Sequence, residues 1–478
     1  MTMVAAAVDG LAPGMDGPLG PEVDHVHMVG VGGAGMEGLA RLLHEMGYRV
    51  TGSDAVDGPI LADLRRSGID VFHGHDAAYV RGADLLIYSA AVRASNPERQ
   101  EASAAGTRQS SRAEVLGILS SKQDTVAVAG THGKTTTASL LAAAARAAGR
   151  EPTVAIGGWV NGRTQSARGA GELMVVEADE YDRSFLELEP WLSVVTNIEA
   201  EHLDCYADEA DLVEAFVTFI GRTRADGCVI LNGDDPLSQT VAERVAGVRG
   251  GPRVLTFGFN NHCDVQATKL KRVSGGTSFT CEDASGTRPL QLRIPGRHNV
   301  ANALAVIAVA GVLSLDPIVV AAALSDFAGV DRRFQHRGQL DGVSVIDDYA
   351  HHPTEIAATL EATRGQMHGE GRLVVVFQPH TYTRTQRFQA DFVRVLRAAD
   401  SIWVSAVYAA REVPLEGVES DVIVSGLQGH DTEAHWVPDG DRALAAALDR
   451  CTSGDWLVVM GAGDIGARLE KLLTERRA

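Results

Sequence analysis

Cysteine is scarce in this sequence, and its spacing matches no metal-binding or redox motif. Only 5 of the 478 residues are cysteine, and no C-x-x-C pair occurs. A structural zinc site and a disulfide framework both need closely spaced cysteines, so we expect neither. Free, scattered thiols are typical of a reducing compartment, and we therefore expect the protein to be cytoplasmic.

Long apolar runs are also absent. No run approaches the ~20 residues that a membrane-spanning helix needs, so we expect no membrane insertion. Residues 1–22 contain no lysine or arginine. A secretory signal begins with basic residues, so we interpret 1–22 as a disordered leader rather than a targeting segment.

Positive charge is in deficit. The chain has 43 Lys and Arg residues against 62 Asp and Glu residues, which gives a formal net charge of -19. This balance argues against a general nucleic-acid binder. Anionic small molecules remain possible ligands if helix N-termini, arginines and metal ions hold them locally.

Two glycine-bearing turns lie between a predicted strand and a predicted helix. In the second, a predicted strand at 125–129 leads into G-T-H-G-K-T-T at 130–136 and a predicted helix at 134–148. Backbone N–H groups at the helix N-terminus, Lys134 and the Thr135 hydroxyl are suited to a triphosphate and Mg²⁺. The strict pattern G-x-x-x-x-G-K-[ST] is not met, because Val128 stands at its first glycine. We predict that this loop binds a nucleoside triphosphate.

Acidic and histidine side chains follow the next two predicted strands. Glu177 comes directly after the apolar run 173–176, so we expect it to reach a metal ion bound at the loop. We interpret Asp179 or Glu180, rather than Glu177, as an ordinary surface charge. The strand at 192–196 is followed by a polar stretch that ends in His202-Leu203-Asp204, and a metal or phosphate role is somewhat favoured for His202.

The first glycine-rich turn lies near the N-terminus. The sequence G-V-G-G-A-G at 30–35 follows a predicted strand at 25–29 and precedes a predicted helix. Asp54 lies about twenty residues further on, so spacing alone favours NAD. The loop itself recognises a diphosphate on a helix N-terminus, which a UDP-sugar would supply equally well. A further strand at 84–89 ends in Ser89.

Three later features have less specific patterns, and two of them leave alternative interpretations open. Residues 254–292 have the alternating pattern of small antiparallel strands. Asn299 and Asn302 open an apolar helix, where Asn299 could cap the helix or the two amides could bind a heterocycle. Arg332 and Arg333 lie in a predicted linker. Two interpretations stay open: the pair clamps a phosphate, or both side chains are solvated.

The C-terminal part has its own alternation of predicted strands and helices. Predicted strands at 343–346, 373–377, 402–404 and 456–460 alternate with helices, which indicates a mostly parallel sheet. Polar clusters follow three of these strands, at 347–355, 378–385 and 461–465. The carboxyl ends of parallel strands lie at one edge of a sheet, so we expect a ligand site there.

The motifs occur in an order that resembles one known family, the Mur ligases, over nearly the whole chain after the leader. They are G-V-G-G-A-G-M at 30–36, G-T-H-G-K-T-T at 130–136, E-A-D-E at 177–180, T-N-I-E-A-E-H at 196–202, G-R-H-N at 296–299 with Asn302, D-D-Y-A-H-H-P-T-E at 347–355 and F-Q-P-H at 377–380.

The resemblance implies an α/β protein of three domains. They are a Rossmann-like UDP-sugar-binding domain at 23–121, a central P-loop ATPase domain at 122–331 and a Rossmann-like C-terminal amino-acid-binding domain at 332–478. It implies ATP-dependent joining of L-alanine to the lactyl carboxylate of UDP-N-acetylmuramate, with Mg²⁺ as cofactor. We expect a monomer or homodimer that acts in peptidoglycan precursor synthesis and binds no nucleic acid.

The candidate site residues fall into four groups. ATP contacts are expected from Gly130, Thr131, His132, Gly133, Lys134, Thr135, Thr136, Asn299, Asn302, Arg332 and Arg333. The resemblance assigns Mg²⁺ to Thr135, Glu177 and His202, and we expect Lys134, Glu177 and His202 to be catalytic. UDP-sugar contacts are expected from Gly30, Gly32, Gly33, Gly35, Ser53, Asp54 and Ser89. The third-domain site is expected to comprise Asp348, Tyr349, His351, His380 and Arg384.

One position departs from the family pattern. Many members carry arginine directly after F-Q-P-H, whereas this chain has Thr381, so Arg384 becomes the candidate for the alanine carboxylate. Two alternative functions remain at this stage. One is a related ligase that adds a peptide to UDP-N-acetylmuramate, and the other is a binding protein that uses a nucleotide only to change shape.

Overall fold

The computed structural model describes residues 17–200, 205–246, 250–367, 369–410, 412–430 and 432–477. The chain divides into two units. The first is composed of Met1–Thr268, Cys281–Arg288 and Ala301–Leu324, and the second of Lys269–Thr280, Pro289–Val300 and Ser325–Ala478. The first unit contains the first predicted domain and most of the second, and the three-domain division stays a prediction.

A five-stranded parallel sheet begins the first unit. Its strand order is β3-β2-β1-β4-β5. The elements are β1 (His25–Val29), α1 (Ala34–Glu45), β2 (Arg49–Asp54), α2 (Pro59–Arg66), β3 (Asp70–His73), β4 (Leu85–Tyr88), α3 (Pro97–Ala105), β5 (Arg108–Ser111) and α4 (Arg112–Ser121). All five residues of β1 are buried, as a central parallel strand requires.

The predicted leader is wrong at its C-terminal end. Gly17–Leu19 form a 3-10 turn, and the Leu19 side chain is fully buried in the core of the first unit. Arg108 fixes this turn, because its guanidinium donates to the Gly17 carbonyl and pairs with Glu22. Burial of one leucine and these two contacts order a segment that lacks any repeating pattern. Residues 1–16 of the predicted leader lie outside the described residues.

A second parallel sheet carries residues 130–136, the candidate ATP-binding loop. Its order within the first unit is β13-β12-β11-β6-β10-β7. The elements are β6 (Asp124–Ala129), α5 (Lys134–Ala147), β7 (Thr153–Ala155), the hairpin β8 (Trp159–Val160) and β9 (Arg163–Thr164), β10 (Leu173–Glu177), β11 (Leu192–Val195), α6 (Glu209–Gly221), β12 (Cys228–Asn232), α7 (Pro236–Ala246) and β13 (Arg253–Gly258). Because β6 lies between β10 and β11, the chain segments after these three strands meet at one edge.

Antiparallel pairing was wrongly predicted for the start of 254–292. Strand β13 pairs in parallel with β12, with Cys228 opposite Arg253, and so extends the central sheet. Its side chains do not alternate strictly between buried and exposed. The elements that follow are β14 (Val265–Val273), β15 (Gly276–Asp283), β16 (Gly286–Leu292), α8 (Arg297–Val312) and α9 (Pro317–Asp326).

The second unit contains the mostly parallel sheet that the sequence predicts. Its order is β17-β18-β22-β19-β20-β21, and only the pairing of β17 with β18 is antiparallel among these strands. The elements are β17 (Gln335–Leu340), β18 (Val343–Asp348), α10 (Pro353–Gln366), β19 (Leu373–Phe377), α11 (Tyr382–Arg387), α12 (Gln389–Leu396), β20 (Ser401–Val404), α13 (Asp421–Leu427), β21 (Glu433–Trp436), α14 (Gly440–Arg450), β22 (Trp456–Met460) and α15 (Ile465–Arg477).

The common edge of the three polar clusters is confirmed. Asp348 of β18 and Phe377 of β19 both pair with Met460 of β22, so the three strands end side by side. Across the described ranges, no helix combines the length and the apolar character needed to cross a membrane.

Leu19 offers a test of the ordered N-terminal turn. We expect Leu19→Ala to lower the free energy of unfolding by about 2–4 kcal/mol, because it removes a fully buried side chain and leaves a cavity. Urea unfolding of the full chain measures this change. Val56 is 71% exposed, and Val56→Ala should change the same quantity by less than about 0.5 kcal/mol. Equal effects of the two substitutions would contradict the packing of Leu19.

Candidate active site

The candidate ATP-binding loop needs glycine at two positions. Gly130 has φ 125°, and a Cβ atom added to it would lie 2.2 Å from Thr196 Oγ1. Gly133 has φ 83°, and its added Cβ would lie 2.6 Å from Asn302 Oδ1. Both positions therefore exclude a side chain, and the backbone approaches its neighbours as closely as a ligand-binding loop requires.

The end of strand β11 holds this loop in shape. The Thr131 amide donates to the Asn197 carbonyl at 3.0 Å, and the His132 amide donates to Asn197 Oδ1 at 2.9 Å. The Glu199 amide donates to Thr131 Oγ1 at 2.9 Å, and the His132 ring lies 3.0 Å from the Glu199 carboxylate. The loop conformation is thus fixed by the protein itself, before any ligand contact.

Lys134 is surrounded by acceptors at the start of α5. Its Nζ donates to Glu180 Oε2 at 2.7 Å and to the Gly130 carbonyl at 2.8 Å, and it lies 3.9 Å from Asp179 Oδ1. Burial opposes the ammonium charge, but Glu180, Asp179 and Glu177 outweigh burial and raise the pKa of Lys134. The lysine is therefore a fixed cation at the loop.

The interpretation of Glu180 as a surface charge is wrong. Its side chain is only 1% exposed, whereas that of Asp179 is 45% exposed. The 3-10 segment Tyr181–Glu187 turns the chain directly after Glu180 and carries the carboxylate inward to Lys134. The run E-A-D-E contains no periodicity that distinguishes these carboxylates. Only the three-dimensional contact identifies Glu180 as the buried partner of Lys134.

Thr135 and Glu177, two of the predicted metal ligands, are joined by a hydrogen bond. The Thr135 hydroxyl donates to Glu177 Oε1 at 2.7 Å, and Glu177 Oε2 accepts from the Gly157 amide at 3.1 Å. A hydroxyl and a carboxylate are hard oxygen ligands, so this donor set fits Mg²⁺. The third candidate ligand, His202, lies outside the described residues.

Asp54 stabilises the first glycine-rich loop. Gly32 donates its amide to Asp54 Oδ2 at 2.9 Å, and Val56 donates to Asp54 Oδ1 at 3.0 Å. Gly33 precedes α1 without a side-chain cap, so the helix N-terminus is suited to an anion. Asp54 therefore shapes the loop, and its contact with a UDP-sugar stays a prediction.

A buried polar network lies behind this loop and was not predicted. The hydroxyl of Ser53 donates to Glu98, and Glu98 also contacts the rings of His27 at 2.6 Å and His75 at 2.8 Å. Ser53, Glu98 and His27 are fully buried. The structure therefore gives the Ser53 hydroxyl a partner inside the protein. Ser89 bonds locally, since its Oγ accepts from the Ala91 amide at 3.3 Å.

The two loops approach one another at Gly157. A Cβ atom added to Gly157 would lie 3.7 Å from Glu177 Oε2 and 3.9 Å from the Gly35 amide nitrogen. The carboxylate of Glu177, a candidate metal ligand, and the N-terminus of α1 therefore both lie within 4 Å of the position of that Cβ atom. Within the first unit, the candidate diphosphate site adjoins the candidate triphosphate site.

The two asparagines of α8 have different surroundings. The helix begins at Arg297, so Asn299 lies within its first turn rather than at its cap, and its Nδ2 donates to the Pro295 carbonyl at 2.7 Å. Both asparagines are 6% exposed. The close approach of Asn302 to Gly133 places one of them at the ATP-binding loop.

In the second unit, Asp348 orders the segment around Tyr349. Its carboxylate accepts from the amides of Phe334 at 2.8 Å and Ala350 at 2.7 Å. Burial raises the pKa of Asp348 to about 6. The guanidinium carbons of Arg332 and Arg333 each lie 5.0 Å from the Tyr349 ring centre, so this aromatic ring contacts both candidate phosphate-binding arginines.

His380 is the centre of a second group at the same sheet edge. Arg384 Nη1 lies 3.0 Å from His380 Nδ1, and the rings of His351 and Tyr408 lie 5.6 and 5.8 Å from that of His380. Tyr408 was not predicted, because it follows a strand whose end carries no charged cluster. Thr381 has φ 64° and donates its amide to the Tyr408 carbonyl.

Three family models match successive parts of the chain. The "Mur ligase family, catalytic domain" matches residues 25–124, the "Mur ligase middle domain" matches 128–310, and the "Mur ligase, glutamate ligase domain" matches 332–463. The matched ranges follow one another in the order of the motifs.

Curated relatives match over the same extent. A UDP-N-acetylmuramate–L-alanine ligase of Leptothrix cholodnii is 42% identical over 470 residues, covering 95% of this chain and 99% of the relative. An enzyme of the same name from Thermobifida fusca is 43% identical, covering 93% and 95% of the two chains.

Solved structures are similar over their full length. UDP-N-acetylmuramate–alanine ligase from Thermotoga maritima has a TM-score of 0.80 at 29% identity, covering 95% of this chain and 99% of its own. A murein peptide ligase from Psychrobacter arcticus has a TM-score of 0.70 at 25% identity, covering 95% and 98%. Since family models and relatives match across nearly the whole sequence, the chain belongs to the Mur ligase family.

Proposed function

We propose that this chain joins L-alanine to the lactyl carboxylate of UDP-N-acetylmuramate with conversion of ATP to ADP and phosphate, in peptidoglycan precursor synthesis. One structural observation carries the proposal. The carboxylate of Glu177, beside the ATP-binding loop, and the Gly35 amide, in the candidate UDP-sugar loop, lie within 4 Å of one point at Gly157. A carboxylate on the UDP-sugar can therefore reach a phosphoryl group on the loop. The names of the relatives support the choice of substrates.

The first step activates the carboxylate. One of its oxygens attacks the γ-phosphorus of ATP, the bond to the β–γ bridging oxygen breaks, and ADP leaves as an acyl phosphate forms. Such transfer depends mainly on positioning and on stabilisation of negative charge. The N-terminus of α5 and Lys134, fixed 2.7 Å from Glu180, provide that stabilisation.

Mg²⁺ would be held by Thr135 and Glu177, with His202 as the third candidate ligand, and when bound it would neutralise part of the triphosphate charge. The hydrogen bond between Thr135 and Glu177 brings both ligand atoms to the same place before the ion arrives. The amide of Gly157 fixes the other carboxylate oxygen and so orients the group.

The second step forms the amide bond. The amine of L-alanine attacks the acyl carbon, loses a proton, and the tetrahedral intermediate expels phosphate. His351 and His380 at the second-unit sheet edge are candidates for the proton acceptor, and the adjacent Arg384 is the candidate for the alanine carboxylate. We also propose that the enzyme acts in the cytoplasm, where ATP and UDP-sugars occur, as a monomer or homodimer.

Phosphate release tests the function as a whole. We expect release from ATP to require both UDP-N-acetylmuramate and L-alanine, to stop when EDTA removes Mg²⁺, and to resume when Mg²⁺ is restored. Release that needs no amino acid would contradict amide formation. Release that needs an L-alanine-containing peptide in place of L-alanine would favour the related peptide-adding ligase instead.

Lys134 provides a sharper test, because its role in phosphoryl transfer can be separated from its pairing with the buried Glu180. We expect Lys134→Met to reduce the turnover number by at least about 100-fold, since it removes a cation that stabilises phosphoryl transfer. It should also cost about 3–5 kcal/mol of stability, because Glu180 is left buried without its partner. Phosphate release and urea unfolding measure the two effects.

The matched control removes both charges. The double variant Lys134→Met with Glu180→Gln should recover most of the lost stability, since no buried carboxylate remains unpaired. It should not recover turnover. Near-normal turnover in this double variant would show that Lys134 serves the fold and not the phosphate.

A further inference from the structure

Arg112 is a partly buried cation that was not predicted as a site residue and has no role in the proposed mechanism. It is the first residue of α4, whose N-terminus is fixed by Ser111 and Glu114 in a capping box. A Cβ atom added to Gly35 would lie 2.6 Å from the guanidinium carbon of Arg112 and 2.8 Å from Nη2. The guanidinium therefore lies against the N-terminus of α1, where the candidate diphosphate loop ends.

One donor group of Arg112 is buried and has no hydrogen-bond partner in the protein. Its Nε is buried without a hydrogen-bond partner, and no carboxylate of the described residues forms an ion pair with the guanidinium. A buried charged donor without a partner costs stability, so such a group is expected to meet an anion in the working enzyme. The planar fork of arginine suits carboxylate and phosphate oxygens.

The net effect of the surroundings is to lower the pKa of Arg112, but arginine stays protonated because its ordinary pKa is far above neutrality. Burial lowers the pKa of Arg112, while the carboxylates of Asp179 and Glu177 act in the opposite direction. These are the carboxylates beside Lys134 and Thr135. Arg112 therefore lies in the electrostatic field of the candidate metal site while its guanidinium contacts Gly35 of the first loop.

The cleft beside Arg112 has room for about one water molecule, and Leu39, Leu116 and Ile156 form part of its lining. Arg112 lines a small cleft together with Gly35, Ala155 and Ser166. Gly157 lies two residues after Ala155, at the point where the Gly35 amide and the Glu177 carboxylate approach one another. Because the guanidinium of Arg112 lies against Gly35, an anionic group bound at the first loop would lie next to it.

We propose that Arg112 is a positioning residue that binds an anionic oxygen group of the UDP-sugar, between the first loop and the ATP-binding loop. This inference rests on the proposed function. The group is either the diphosphate or the lactyl carboxylate, since both present the oxygens that a guanidinium binds. In either case Arg112 directs the acyl carboxylate toward the γ-phosphoryl group and offsets repulsion from Glu177 and Asp179.

Calorimetric binding of UDP-N-acetylmuramate to the full-length protein, without ATP, tests this role. We expect Arg112→Met to weaken binding by about 10- to 100-fold, the range that corresponds to a lost hydrogen bond to a charged group. Methionine keeps the aliphatic stem, so the midpoint of thermal unfolding should stay close to that of the wild type. Arg112→Lys should restore part of the affinity, because it restores the charge.

The matched control is Arg66→Met, on α2 of the same sheet layer. Arg66 is 75% exposed and pairs only with surface Asp63 in the described structure, so its loss should leave the affinity unchanged. UDP and UDP-N-acetylglucosamine serve as further probes. An equal loss for all three ligands assigns Arg112 to the diphosphate, and a loss confined to UDP-N-acetylmuramate assigns it to the lactyl carboxylate.

Wild-type affinity of Arg112→Met for all three ligands would overturn the inference. So would an equal loss of affinity for an ATP analogue, because that result would indicate a general structural role. The proposed function is tested separately, by alanine-dependent phosphate release from the wild-type protein. If that release occurs and Arg112→Met binds normally, the function stands and only the role of Arg112 is wrong.

Discussion

The accumulation of negative charge at one sheet edge is the constraint on which the rest of the site depends. Glu177, Asp179 and Glu180 lie around Lys134, and the proposed substrates bring a triphosphate and a carboxylate to the same place. Like charges at this density would repel one another, so the site needs cations that are fixed in advance. Lys134 is fixed by Glu180, and Thr135 with Glu177 offers oxygen ligands for a metal ion.

Parallel strand order explains why much of this site is predictable from sequence. Strand β6 lies between β10 and β11, so the glycine-rich loop, Glu177 and Asn197 must share one edge. The same rule places the polar clusters after β18, β19 and β22 together. A local pattern that identifies a strand end therefore identifies a site residue, provided that the strands are parallel and adjacent.

The remaining features depend on contacts between segments that are distant in sequence. Glu180 differs from a surface acid only because a 3-10 turn carries it inward to Lys134. Arg112 lies far along the chain from Gly35 and Glu177, and no spacing rule connects it to them. The turn at Leu19 is ordered by burial of that one side chain and by a hydrogen bond from Arg108, so the sequence there has no periodic hydrophobic pattern.

The central claim is that the lactyl carboxylate is activated by direct transfer of the γ-phosphoryl group. The most direct measurement uses UDP-N-acetylmuramate with ¹⁸O in both oxygens of that carboxylate, turned over with ATP, Mg²⁺ and L-alanine. Attack by a carboxylate oxygen on phosphorus, followed by expulsion of phosphate, carries one labelled oxygen into each phosphate released. Mass spectrometry of the phosphate should therefore show one ¹⁸O atom per molecule, and unlabelled phosphate would contradict the account.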